Sequence, residues 1–242
     1  MVDGSGVEVR ALAFDVFGTV VDWRSSVAAE VVAAAARRGL AVDGEAFADE
    51  WRGRYRPSMD RVRRGEVGWT ALDDLHRASL DELVEQFGLD ALSPAERDAL
   101  NLAWHRLRPW PDAAEGLGRL RRRHLLCTLS NGNVALLVDL ARFGSLPFDC
   151  ILSAELCRAY KPDPSTYRMV PDLLRLRPDQ VMMVAAHGSD LRSAAAEGLR
   201  TALVSRPLEW GAGAVPQAGR TGVFDVEVPD FVALSHTLDG AA

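Results

Sequence analysis

Val9-Arg10-Ala11-Leu12-Ala13-Phe14-Asp15-Val16-Phe17-Gly18-Thr19 carries an apolar, β-prone run directly into a loop that begins with an acid. A carboxylate at the end of a buried strand is badly placed for an ordinary surface charge. Three further loops repeat the arrangement. Ser130-Asn131-Gly132-Asn133 follows the apolar run 125–129 and opens a segment with Val134, Leu137, Val138 and Ala141 at helical spacing. Tyr160-Lys161-Pro162-Asp163-Pro164 holds the only lysine of a chain that has 27 arginines, a position that calls for a compact point charge where a planar guanidinium fork is no substitute. An acidic loop at Asp190 follows the run 181–186. Taken singly, an Asp or Ser after a strand reads as a helix N-cap. Four such loops in order point to a site at one rim of a sheet.

Strand-like runs at 9–14, 124–129, 149–153, 181–186 and 201–204 alternate with helical segments. This is the pattern of an α/β, Rossmann-like parallel sheet with helices on both faces. The interval 22–106 differs, having amphipathic stretches at 26–39, 44–64, 69–88 and 94–107 and no convincing strand. It is expected to form a helical cap domain inserted into a catalytic core made of 1–21 and 107–242. Ligands of open α/β sheets bind beyond the carboxyl ends of the strands, where a cap can close over them and exclude water. The glycine-rich piece 211–222 reads as a surface loop before a last strand near 223–228.

Composition suits one catalytic unit. With 242 residues, 48% of them hydrophobic, the chain can bury a sizeable core. A net charge of −6 excludes the basic footprint of a nucleic-acid binder, and the arginine runs at 61–64 and 119–123 read as solvated helix faces. No apolar run approaches the length of a membrane span, and no signal peptide is evident. Three cysteines without a C-x-x-C pair fit a reduced, cytoplasmic protein, with Cys127 and Cys150 as core filling.

The order Asp15 and Thr19, then Ser130 and Asn131, then Lys161, then Asp190 resembles the haloacid dehalogenase-like hydrolase superfamily over most of the chain. Phe14 to Trp23 (FDVFGTVVDW), SNGN at 130–133, YKPD at 160–163 and the Arg-Pro-Leu-Glu-Trp stretch from 206 are similar to its L-2-haloacid dehalogenase (type II) branch. The resemblance implies a hydrolase acting on small 2-haloalkanoic acids. Asp15 would displace halide at C2 to form an aspartyl ester, whose hydrolysis gives a 2-hydroxy acid. It also implies a preference for the L form and a homodimer formed through the cap.

The residue types agree with that chemistry. In the superfamily's phosphatases a second Asp, two residues after the nucleophile, protonates the leaving oxygen. Here that position is Phe17, which suits a halide, a weak base that leaves without a proton. Where those phosphatases bring carboxylates in a GDxxxD loop, this chain reads Ala185-Ala186-His187-Gly188-Ser189-Asp190, with Ala186 in place of the first acid. A hard octahedral cation is then short of ligands, so catalysis without metal or other cofactor is expected.

Roles follow by resemblance. Lys161 would hold Asp15 ionised, and Thr19 would hydrogen-bond it. Ser130, at the start of a helix, would cradle the substrate carboxylate. Tyr167, in the pattern K-P-D-x-x-x-Y, reads either as a substrate-orienting group or as a buried aromatic. Arg52, Asn131, Phe17 and Trp69 would receive the halide, although Arg54 and Arg56 lie close to Arg52 in sequence.

One departure stands out. The branch often shows Ser-Ser-Asn-x-x-Asp where this chain has 185–190, losing two hydroxyls and gaining a histidine able to accept a proton near neutral pH. His187 is therefore expected to activate the hydrolytic water, with Asp190 holding Lys161 and Glu30 as a speculative partner of His187. His76, His105, His124 and His236 read as structural. Two rivals remain at this stage: a phosphatase or phosphonate hydrolase on the same scaffold, and a non-catalytic module that keeps the fold.

Overall fold

The computed structural model describes residues 8–212 and 223–240. Chain order begins with β1 (Ala11–Phe14) and a short antiparallel ribbon of β2 (Val21–Asp22) with β3 (Arg108–Pro109). Then come β4 (Leu125–Ser130), β5 (Cys150–Ser153), β6 (Val181–Ala185), β7 (Arg200–Val204) and β8 (Val226–Val228). Apart from the ribbon these make one sheet of order β5-β4-β1-β6-β7-β8, in which every pairing is parallel.

The alternation of β1 explains its central place. Leu12 and Phe14 enter one core, Ala11 and Ala13 the other, and all four are fully buried. Helices α5 (Ala113–Leu120), α6 (Val134–Phe143) and α9 (Phe231–Asp239) send Leu117, Leu137 and Phe231 into the first core. On the opposite face, α7 (Pro164–Leu174) and α8 (Gly188–Ala196) send Tyr167, Val170, Leu191 and Ala194 into the second. After β1 the chain builds outward through β4 and β5, then returns to build outward from the other side through β6. The loops after β1, β4 and β6 diverge at this reversal, which opens a crevice at the rim.

Between the two ribbon strands the chain is helical: α1 (Trp23–Ala36), α2 (Gly44–Arg63), α3 (Leu72–Gln86), α4 (Pro94–Asn101) and a 3-10 turn, Leu102–His105. Starts are set by side chains. Asp22 accepts from the Ser25 N–H at 3.1 Å, which begins α1 three residues earlier than expected. Asp43 caps α2, and Ser93 with Glu96 forms a capping box ahead of Pro94. Trp23, Phe47, Trp51 and Trp104 bury against the sheet's first core, so the insertion and that face of the sheet share one apolar interior.

Some boundaries shift. The helix expected over 94–107 stops at Asn101 and tightens into the 3-10 turn. There, His105 reaches Asp139 on α6 at 2.7 Å and Asp73 on α3 at 3.0 Å. The last strand starts at Val226 rather than 223, and most of the expected 211–222 loop, 213–222, lies outside the described residues. Cys150 is half-buried rather than a fully buried core residue like Cys127.

Candidate active site

The loops that leave β1, β4 and β6, together with the one holding Lys161, converge at the carboxyl rim. Asp15 does not cap a helix. Its Oδ2 accepts from Thr19 Oγ1 at 2.8 Å and lies 3.1 Å from His187 Nδ1, while Oδ1 is 3.4 Å from the Lys161 ammonium. Thr19 is tied in turn, accepting from the Ala186 N–H at 2.9 Å. Burial alone would raise the Asp15 pKa. The Lys161 charge, followed by the hydrogen bonds and charge of His187 and the Thr19 hydroxyl, instead holds it well below the usual carboxylate range.

Lys161 sits between two acids, with Nζ 2.7 Å from Asp190 Oδ2 as well as close to Asp15. Burial acts to lower its pKa, yet the charges of Asp190 and Asp15 raise it above the ordinary lysine value. Asn131 fixes the lysine's backbone by accepting its N–H at 2.8 Å through Oδ1, and Arg63 of α2 donates to the Lys161 carbonyl. Tyr167 is fully buried and donates its hydroxyl to Asp190 Oδ1 at 2.6 Å. Of its two readings the buried aromatic is therefore the one seen, with the hydroxyl orienting Asp190. Ser130 is buried at the end of β4 and accepts the Gly132 N–H at 3.2 Å.

On α2, the Arg52 guanidinium lies 4.1 Å from the Tyr55 ring centroid and 5.6 Å from that of Trp23, and its Nη1 is buried without a hydrogen-bond partner. Arg54 instead pairs with Glu82 and Glu50, and Arg56 is exposed, so only Arg52 turns inward. Phe17 is buried edge-on against Trp104 at 5.8 Å and Tyr55 at 6.3 Å. Trp69 packs on Tyr160, 4.7 Å away, so the rings beside Phe17 are Tyr55 and Trp104 and not the expected Trp69. Tyr55 is held protonated by burial, partly offset by the Arg52 charge and a hydrogen bond with Asn131.

His76, Trp104 and Trp51 close this aromatic group, with His76 stacked 4.2 Å from Trp104 and neither of its ring nitrogens hydrogen-bonded. Burial pushes the His76 pKa down to about 3. It is a neutral aromatic wall, in keeping with its structural reading.

The partner of His187 is not Glu30, which accepts from Arg106 at 3.1 Å. It is Glu209, in the loop after β7, with both oxygens 3.0 Å from Nε2. The correction follows from topology: β7 is the neighbour of β6, so its loop emerges beside His187, whereas α1 turns Glu30 away to Arg106. Glu209 is almost fully buried and also accepts from Trp23 Nε1 at 3.1 Å. Gly18 makes room for it. Its φ is +81°, and a Cβ there would lie 2.1 Å from Glu209 Oε1. Arg206 anchors the loop, bonding both Asp112 oxygens at 2.7 and 2.9 Å and the Thr19 carbonyl at 2.9 Å. The signal for Glu209 was present as an acid inside Arg-Pro-Leu-Glu-Trp after a strand, but only β7 pairing beside β6 directs it to His187.

Three comparisons bear on this arrangement. Residues 9–198 match the family described as haloacid dehalogenase-like hydrolase. The chain is 30% identical over 204 residues to (S)-2-haloacid dehalogenase 1 of Pseudomonas sp. (strain CBS-3), covering 82% of this chain and 85% of that protein. The crystal structure of an L-2-haloacid dehalogenase superposes with a TM-score of 0.92 at 44% identity, covering 96% of this chain and 99% of that one. That of a defluorinating L-2-haloacid dehalogenase gives 0.93 at 42% identity, covering 97% and 96%. With the family match spanning most of the chain and the Asp15 loop at the end of the central strand, the protein belongs to the haloacid dehalogenase-like hydrolases.

Proposed function

We propose that this protein hydrolyses small 2-haloalkanoic acids to 2-hydroxy acids and halide, through an ester on Asp15. The observation that carries this reading is the contrast within one loop. Asp15 is half-buried and held ionised by Lys161, Thr19 and His187, while Phe17, two residues on, is enclosed by Tyr55 and Trp104 and has no proton to give. An ionised nucleophile with no acid two residues on suits a leaving group that departs as an anion. The names of the relatives point to the same substrate class.

Each remaining group has a part. Oδ2 of Asp15 has two donors at 2.8 and 3.1 Å, which leaves Oδ1 the less encumbered oxygen for attack on C2. Arg52, with a buried nitrogen lacking a partner, and Asn131 receive the halide against Phe17, Tyr55 and Trp104. Ser130 and the backbone N–H groups of the loop ahead of α6 take the substrate carboxylate, the Val134 N–H being given to Glu155 at 2.7 Å. His187 activates water for ester hydrolysis. Tyr167 and Asp190 hold Lys161, and with Ala186 where a further acid would stand the rim is short of carboxylates for a hard cation, which supports catalysis without metal. Residues 22–106 serve as a cap over a core of 1–21 and 107–242, with Arg52 carried on the cap.

Among the described residues no helix is long and apolar enough to cross a membrane. A cytoplasmic site of action fits the three free thiols, and a homodimer is part of the proposal, checked by the mass in solution.

The deciding experiment is a single turnover in heavy-oxygen water with 2-chloropropionate, followed by mass analysis of the peptide holding Asp15. Label in that carboxylate supports the ester; label only in the product rules it out. A halide-release screen that includes fluoroacetate, run without added metal beside a phosphate-ester panel, defines the range.

A further inference from the structure

His187 faces a carboxylate at each ring nitrogen: Asp15 at Nδ1, 3.1 Å away, and Glu209 at Nε2, 3.0 Å away. Carboxylates only accept, so both ring nitrogens carry hydrogen in the free protein and the ring is an imidazolium. Burial works against that charge, but the hydrogen bonds and charges of Asp15 and Glu209 push the His187 pKa up to about 10. The charged groups around the ring are Asp15 from the loop after β1 and Glu209 from the loop after β7, with Lys161 and Asp190 one carboxylate further. An imidazolium has no lone pair with which to take a proton from water. The ring that the proposed hydrolysis needs as a base is therefore occupied until something changes.

We propose that ester formation on Asp15 is what discharges His187, and that Glu209 is the positioning residue that makes the discharged ring a base with its lone pair on the correct nitrogen. This rests on the dehalogenase reading above. When Asp15 attacks C2, the carbon–halogen bond breaks, halide leaves with the bonding pair, and the carboxylate becomes a neutral ester. The anionic partner of Nδ1–H has disappeared, and that proton departs to solvent. Glu209 still accepts from Nε2–H, so the neutral ring is fixed in the tautomer whose Nδ1 lone pair faces the esterified carboxyl. Water held there gives a proton to Nδ1 while its oxygen attacks the ester carbonyl carbon. Collapse expels the 2-hydroxy acid oxygen, which takes the proton of the added hydroxyl, and restores the Asp15 carboxylate beside an imidazolium. One proton per turnover is thus released with halide, and none with ester hydrolysis.

The surroundings of Glu209 suit a positioning part. Trp23 donates to it from the cap side, Gly18 leaves it room, and Arg206 ties its loop to the nucleophile loop through the Thr19 carbonyl. Its carboxylate is thereby fixed relative to Asp15 within one network.

The test is a stopped-flow single turnover in weak buffer with a pH indicator, halide and ester being followed by rapid quench. In the parent enzyme the proton is expected in the halide phase; a proton that appears only with ester hydrolysis overturns the inference. Glu209→Gln, with folding verified by its melting transition, is expected to slow halide release far less than ester hydrolysis. Ester hydrolysis should slow by about 10²–10⁴-fold, the range for losing a positioned acid–base arrangement. The rising limb of its pH profile should also move to lower pH, which a merely structural loss leaves in place. Hydrolysis within threefold of the parent and an unmoved limb overturn the assignment of Glu209. Halide release with no ester in the parent overturns the ester and this inference with it, whereas no halide release from 2-chloropropionate sinks the dehalogenase reading itself, so the failures are distinct.

Discussion

Lys161 lies nearer to Asp190, at 2.7 Å, than to Asp15, at 3.4 Å. The ammonium is anchored by one acid and lent at longer range to the other. That arrangement keeps Asp15 ionised while its Oδ1 meets the ammonium only at the longer distance. Removing the cation leaves two half-buried carboxylates without the charge between them. Lys161→Met is expected to lower kcat by about 10²–10³-fold, as loss of a preorganised charge does, and Lys161→Arg should not restore it, since the planar fork does not fit a point-charge position. Steady-state halide release over both variants measures this.

Arg52 is the only one of three neighbouring arginines that turns toward the aromatic wall. Arg52→Ala should slow halide formation about 10–100-fold, the worth of a charged hydrogen bond of about 1.5–3 kcal/mol. Arg54→Ala and Arg56→Ala should stay within about twofold, since Arg54 is tied to Glu50 and Glu82 away from the aromatic wall and Arg56 is exposed. Equal losses in all three variants would refute the placement of the halide pocket.

Two histidines should shape the pH dependence of stability in opposite directions. His76 is buried neutral with a pKa of about 3 against 6.5 when unfolded, so the unfolded chain binds the extra proton between those values. Its contribution is present above pH 6.5 and lost as pH falls toward 3. His187 is raised from 6.5 to about 10, so its contribution is present below pH 6.5 and lost as pH rises toward 10. Denaturant midpoints across pH should show His76→Phe flattening the acid limb and His187→Asn the alkaline one.

Arg206 joins the last rim loop to Asp112 and to Thr19, and stacks 4.7 Å from the Phe231 ring centroid. Arg206→Met leaves the nearly buried Asp112 without its cation, and a loss of about 3 kcal/mol is expected by chemical denaturation. Ester hydrolysis should suffer more than halide release, because the loop carries Glu209.

Several site residues were legible in the linear chain because their signals are local. Asp15, Ser130 and His187 each terminate a buried apolar run, and a strand's end fixes where the next side chain stands. Lys161 was legible as a lone ammonium in an arginine-rich chain. Tyr55, Trp104 and Glu209 carry no such local mark: an aromatic on an amphipathic helix and an acid in a loop look like many others. Trp69 was drawn into the halide wall by resemblance, yet the turn before α3 sets it against Tyr160.

The amino-acid order alone therefore determined the parallel sheet, the helical insertion and the strand-end acid Asp15 with its ammonium, since alternation, capping and strand-end chemistry act over a few residues. Which acid serves His187, and which rings enclose Phe17, was decided only by the folded chain. Those contacts join segments far apart in sequence: β7 emerges beside β6, and α2 lays Arg52 and Tyr55 over the rim. Sheet neighbours and helix facing follow from packing the whole apolar interior at once, which no short stretch can specify.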